Sequence, residues 1–370
     1  MRRRFLRDQL IRKIEAELSE MHYEIDELTD LRMTDWGLMI STIRQSVNSS
    51  IRRCCDAVVP LLQPVPYVYD TIIVGGGPAG LSAALMLGRC RRRVVLCDTG
   101  RPRNARARAL HGYLTRDGVP PLDLLEIGRG ELTQYGIETK RLAVTGINPS
   151  GDAFEVVLAD DTRLRTLTVL LASGTCDDLP AIPGLPDCFG TSVHHCPYCD
   201  GWEVRDRQLV VIGQRAKGAA LALALKTWTD SVVLCSHGPA GLRRAQGEQL
   251  AAHGILFDER RIVAVDHTDG RVRRLRFESG DERPCDAIFV ATGQRQQSDL
   301  ASQLGCTLTR HGLVKTDQLG QTCVPGLYVV GDASRDVQFA VVAAAEGAKA
   351  AVGINKALQA RAGLAVRKDH

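Results

Sequence analysis

Apolar positions follow two different rhythms along this 370-residue chain. In the first part, Leu6, Leu10, Ile14, Leu18, Met21, Ile25 and Leu28 recur at spacings of four and three, which places them on one face of a helix. Thr34 or Asp35 is positioned to cap a second helix running towards Cys54-Cys55, and Pro60, Pro64 and Pro66 end it. Residues 1–66 therefore read as an N-terminal helical extension. Three heptads lie at the lower limit for a coiled coil. That favours a helical hairpin packed on the catalytic body over a helix that pairs two copies of the chain or grips a partner.

Beyond residue 66 the pattern becomes short buried strands alternating with small-residue helices. Tyr69-Asp70-Thr71-Ile72-Ile73-Val74 is a strand that runs into Gly75-Gly76-Gly77-Pro78-Ala79-Gly80, and a helix over Leu81–Leu87 follows. This is the GxGxxG phosphate turn in its required context. Gly75 makes the tight turn, Gly77 lets a pyrophosphate approach the backbone, and Gly80 lets the helix pack on the strand. A second strand, Arg93-Val94-Val95-Leu96-Cys97, delivers Asp98 about 20 residues on, where an acid hydrogen-bonds an adenosine ribose. The polar stretch from Arg101 to Gly118 is placed over that ligand, and His111 within it is a candidate base, though a loop histidine is commonly just solvated.

A second strand, turn and helix follows at Leu209-Val210-Val211-Ile212-Gly213-Gln214-Arg215-Ala216-Lys217-Gly218 and Ala219–Leu225. Its middle glycine is replaced by Arg215, and a side chain there opposes the close approach of a pyrophosphate. The next strand ends in Ser236-His237-Gly238-Pro239, which offers neither a ribose acid nor an immediate arginine. Ala172-Ser173-Gly174 and Ala291-Thr292-Gly293 echo one another after strands, as expected of two related nucleotide-binding units. Finally Leu327-Tyr328-Val329-Val330-Gly331-Asp332 is a strand that delivers an aspartate before a small-residue helix, Ala340–Ala351. Asp332 reads either as an N-cap or as a partner for a ribityl hydroxyl, with the helix N-terminus favouring negative charge on a reduced ring.

Composition narrows the class. A net charge of +4 and 5% aromatic residues leave no basic, aromatic-lined surface for nucleic acid. Asp8, Gln9, Arg12, Lys13 and Glu15 interrupt what would be the apolar core of a signal sequence, and no long uncharged run is present to span a bilayer. Of twelve cysteines, eight (Cys90, Cys97, Cys176, Cys188, Cys235, Cys285, Cys306 and Cys323) are scattered singly. That distribution is expected of a reducing, cytoplasmic setting with one working pair.

The pair is in His194-His195-Cys196-Pro197-Tyr198-Cys199-Asp200-Gly201-Trp202. Two thiols at this spacing can close and reopen a disulfide, and a helix starting there would favour the thiolate. Asp200 is placed to move the proton that each exchange requires. A CxxC is also half a zinc site, but no CxxC or CxxH downstream supplies the remaining ligands, so no metal is expected.

The order GxGxxG, CxxCD, a second GxGxxG-like turn and then Gly-Asp resembles the low-molecular-weight thioredoxin reductases and their relatives, over roughly residues 69–360. The resemblance implies an α/β fold of two Rossmann-like units, one inserted in the other. Residues 67–182 would form the first part of an FAD-binding domain, 183–295 an inserted NAD(P)-binding-like domain carrying the CxxC, and 296–370 the second part of the FAD domain. It also implies that Gly75, Gly77, Pro78, Ala79, Gly80, Asp98, Gly331, Asp332 and Ala340 hold FAD. Cys199 would be the flavin-proximal thiol, Cys196 the thiol that exchanges with substrate, and Asp200 the acid/base. The partner would be a thioredoxin-like protein or a small dithiol or disulfide, and the assembly a homodimer.

Three departures qualify these expectations. Arg215 and the missing arginines after Cys235 argue against NADP(H) in the second unit. Gln338-Phe339-Ala340 stands where the family has arginine-glutamine-alanine, and the Arg101–Gly118 loop is more like that of the flavin-dependent dithiol oxidases. The expected activity is an FAD-dependent, thioredoxin reductase-like thiol-disulfide oxidoreductase. Its alternatives are an oxygen-dependent dithiol oxidase that needs no nicotinamide, and a flavin-based redox sensor signalling through residues 1–66.

Overall fold

The computed structural model describes residues 68–291 and 293–364. The helical pattern expected for residues 1–66 lies outside them. In chain order the first half runs β1 (Val68–Val74), α1 (Pro78–Arg89), β2 (Val94–Cys97), α2 (Pro121–Thr133), β3 (Glu138–Lys140), β4 (Val144–Ser150), β5 (Ala153–Leu158), β6 (Arg163–Leu171) and β7 (Thr175–Asp178). The second half adds β8 (Val193–His194), a single turn α3 (Pro197–Asp200), β9 (Leu209–Ile212), α4 (Arg215–Leu225), β10 (Val232–Cys235), α5 (Arg244–Ala252) and β11 (Leu256–Asp258). Three further strands, β12 (Ile262–Thr268), β13 (Arg271–Phe277) and β14 (Glu282–Pro284), precede β15 (Ala287–Val290) and β16 (Gly293–Gln296). The chain closes with β17 (Leu327–Val329) and α6 (Ala340–Arg361).

Among the described residues β1 to β6 and β17 form a seven-stranded sheet, in the order β3-β2-β1-β6-β5-β4, with β17 also on β6. β6 serves two neighbours along one edge: its start pairs with β5 antiparallel, and its end pairs with β17 in parallel. The first sheet is thus completed by a strand that follows the whole second sheet in sequence. That second sheet is parallel, in the order β11-β10-β9-β15-β8, and β7 and β16 pair antiparallel between the two. The architecture is α/β with two Rossmann-like halves, as expected.

The central strands form because their apolar runs are covered on both faces. Ile72 and Ile73 in β1, and Val211 in β9, are fully buried, each worth about 1.5–3 kcal/mol relative to exposure. α1 is built from small residues, so it lies close to both β1 and α6. A methyl group added at Gly347 of α6 would sit 2.0 Å from the Ala79 carbonyl oxygen. α6 runs ten residues past the expected end at Ala351, because Ile354 and Leu358 continue its buried face.

Candidate functional site

A cavity of about 510 Å³ opens at the carboxyl ends of β1, β2 and β6, where the chain leaves the central strands in opposite directions. Ligands of open α/β sheets bind at such a switch point, and the volume suits a small molecule or cofactor. The first turn forms one wall. Gly75 has φ +106°, and a side chain there would also meet the Ala172 carbonyl oxygen, at 2.4 Å. Gly77 is the N-cap of α1 and has open space where a side chain would point, with Pro78 and Ala79 continuing the wall. Gly80 does not line the cavity. Its missing side chain lets α1 touch the turn, since a methyl group would lie 1.9 Å from the Gly75 carbonyl oxygen.

Asp98 ends β2 on the cavity wall, 3.4 Å from Arg129 Nη2. Gly331 and Asp332 enter from the far side through a short 3₁₀ turn. The N-cap of α6 is Phe339, so the N-cap reading of Asp332 is corrected: the helix starts at Ala340, eight positions after Asp332. Ala340, the first residue of α6, also lines the cavity.

Sequence reasoning did not single out Arg103. The loop after β2 carries its guanidinium into the cavity wall, where it binds the Asp177 carboxylate and donates to Asp332 Oδ2 at 3.1 Å and Gln338 Oε1 at 2.6 Å. Burial pushes Asp332 above the usual carboxylate range, with Arg103 only partly offsetting it. Burial works the same way on Asp177, but there the hydrogen bond and charge of Arg103 win and hold it below its ordinary value. Neighbouring His195 is depressed, by burial first and then by Arg103. The only available signal was the basic Arg101-Pro102-Arg103-Asn104 run, which does not say where its side chains go. His111 lines the same cavity, with Nδ1 3.6 Å from Asp117 and Nε2 3.4 Å from Glu203.

The CxxC loop closes the opposite wall. Cys196 and Cys199 form a disulfide with their Cα atoms 5.3 Å apart. A helix does begin at the pair, with Cys196 as its N-cap, but α3 is a single turn and contributes only a small dipole. Local polarity comes instead from the Cys199 N–H, which donates to Cys196 Sγ at 3.1 Å. The two sulfurs differ in surroundings: Cys199 and Asp200 line the cavity and Cys196 does not. On the outer side Tyr198 and Trp202 are 74% and 64% exposed. Tyr198 meets Trp228 and Phe339 edge-on, which links the loop to the start of α6.

These features, in this order, match the model of the pyridine nucleotide-disulphide oxidoreductases over residues 69–347. The chain belongs to that family. It is 31% identical over 303 residues to a protein of Arthroderma benhamiae named "Probable thioredoxin reductase", covering 72% of this chain and 74% of that one. It is 29% identical over 308 residues to thioredoxin reductase sirT of Leptosphaeria maculans, covering 78% and 94%. Among solved structures, that of HlmI matches with a TM-score of 0.77 at 36% identity, over 80% of this chain and 94% of the other. The protein is an FAD-dependent oxidoreductase of the thioredoxin reductase-like type, and enzymes of this type use FAD and NADPH.

The family's two nucleotides meet unequal sites in this chain. FAD fits the large cavity: Gly77 leaves room at a helix N-terminus, Asp98 offers a carboxylate on the wall at the end of β2, and Thr175 Oγ1 is buried in the wall with no protein partner. The second turn does not fit a pyrophosphate. Arg215 takes a left-handed conformation, φ +52°, and its N–H donates to the Ala240 carbonyl at 2.7 Å. Glu259 holds that loop down by accepting from the Ala240 N–H at 3.0 Å. The close contact of Gly213 with Gly218 survives, so the scaffold is retained while the amide that a phosphate would use is taken.

Proposed function

We propose that this enzyme carries out thiol-disulfide exchange at Cys196-Cys199 in electronic contact with FAD held in the large cavity. The observation that carries the reading is the asymmetry of the pair: Cys199 lines the cavity and Cys196 does not, while Tyr198 and Trp202 of the same loop are exposed. FAD bound there supplies a two-electron acceptor or donor. In the oxidising direction, a substrate thiol attacks Cys196 Sγ, the Cys196–Cys199 bond breaks, and Cys199 leaves as the thiolate on the cavity side. A second substrate thiol then displaces Cys196, which yields a substrate disulfide and a reduced pair. Asp200 takes the proton released in the first attack. Run backwards, the same steps reduce a disulfide, as in enzymes named thioredoxin reductase. A thioredoxin-like protein and a small dithiol or disulfide are the two substrate classes, and a reducing compartment such as the cytoplasm suits the free cysteines found elsewhere among the described residues.

The closed turn at Arg215 favours the oxidising direction, because electrons then enter through the substrate and need no nicotinamide. Anaerobic titration of the purified protein separates the two. Dithiothreitol is expected to bleach the flavin absorbance fully by about two equivalents, since the disulfide and the flavin each take two electrons, and air to restore it with peroxide formed, while NADPH leaves the flavin oxidised. Rapid bleaching by NADPH would instead establish the reductase direction.

A further inference from the structure

Asp200 has a buried partner. β8 pairs with β15 in parallel, Phe289 opposite His194, and this buries His194 to 8% exposure with its ring 5.4 Å from that of Phe289. The CxxC turn then brings Asp200 back, so that its Oδ1 lies 3.2 Å from His194 Nδ1. The other ring nitrogen, Nε2, is buried with no hydrogen-bond partner. This asymmetry selects the tautomer. A proton on Nδ1 is used by the carboxylate, whereas a proton on Nε2 would be a buried donor without an acceptor. The neutral ring with Nδ1–H satisfies more of its polar groups than the other tautomer or the imidazolium. An N–H donated to a carboxylate stabilises the charged form.

The other titratable and charged groups near the pair are already engaged. His195, held below its ordinary value chiefly by burial, is near Arg103, Asp177 and Asp200, Arg103 is committed to Asp177 and Asp332, and His111 sits between Asp117 and Glu203. No arginine or lysine is paired with Asp200 among the described residues, which leaves the His194 N–H as its stabilising donor.

We infer that His194 is a positioning residue that holds the Asp200 carboxylate in place as the base of thiol-disulfide exchange. The inference rests on the redox reading above. In the step concerned, a substrate RSH forms an RS–S bond to Cys196, the Cys196–Cys199 bond breaks with its electron pair left on Cys199, and the substrate proton passes to the Asp200 carboxylate.

The test is stopped-flow reduction of the holoenzyme by dithiothreitol, without oxygen, between pH 5.5 and pH 8.5. The measured quantity is the variant-to-parent rate ratio, which cancels ionisation of the reagent. His194→Phe keeps a ring against Phe289 and removes the donor, and His194→Leu replaces it if the phenylalanine does not fit. Loss of the donor frees the Asp200 carboxylate from the contact that fixes it beside the pair. The ratio should therefore fall about tenfold across the range, a loss of the order expected when a catalytic base is misplaced. His194→Asn, which restores an N–H, should stay within about threefold throughout. Combined with Asp200→Asn, His194→Phe should add no further loss, because the two act as one unit. A ratio near one, a loss in His194→Asn as large as in His194→Phe, or losses that multiply in the double variant, would overturn the inference. Cys196→Ser is measured alongside: if it still reacts at the parent rate, the redox reading fails; if it is inactive while His194→Phe matches the parent at every pH, only the role of His194 fails.

Discussion

A Cys199→Ser variant is expected to purify with its flavin and to lose thiol-disulfide turnover by roughly 10³-fold or more, since members of a catalytic unit are lost together. Cys199 is the sulfur on the cavity wall, and without it Cys196 has no partner with which to close a disulfide. The serine is close in size, and α3 is held by backbone bonds that the change does not touch, such as Gly201 N–H to Pro197 O. Folding and flavin binding therefore survive. Cys196→Ser should be equally inactive, but it leaves the cavity-side thiol in place, so its flavin spectrum should differ from that of Cys199→Ser. Visible absorbance for flavin content and a dithiol-dependent oxygen assay check both. Normal turnover by Cys199→Ser would sink the mechanism.

The second large effect separates cofactor binding from folding within a single turn. Gly77→Val places its side chain in open space on the cavity side and strains no backbone, because Gly77 has φ −74°. The protein should fold with a melting temperature near that of the flavin-free parent and bind FAD at least about a hundredfold more weakly, a loss on the order of 3 kcal/mol. Gly80→Val, three residues on, drives a side chain into the Gly75 carbonyl oxygen and packs badly against β1. It should yield little folded protein at all. Flavin retention on gel filtration and thermal melts of the two variants distinguish these outcomes. Full flavin content in Gly77→Val would mean that the cofactor does not pass over this turn.

Much of this was legible in the chain because the motifs are local. The GxGxxG turn was readable because strand, glycines and helix are contiguous, and the resulting turn places Gly75, Gly77 and Gly80 in three different roles. Arg215 was readable as an obstacle for the same reason. Its full effect was not, because the obstruction is completed by the Ala240 carbonyl, twenty-five positions away, and by Glu259 beyond it. The helix start at the CxxC was readable, but its single turn and the contact of Asp200 with His194 were not.

Composition and motif order were enough to determine a two-unit α/β flavoenzyme with one redox pair. Backbone turns and hydrophobic periods are short-range properties, encoded within ten or twenty consecutive residues. The chemical surroundings of that pair were decided only by the fold. Arg103 meets Asp332 across 229 positions and Asp177 across 74, and His194 is buried because β8 pairs with β15. Burial and charge partnership set how each carboxylate titrates, and both depend on which distant segments the sheets bring together.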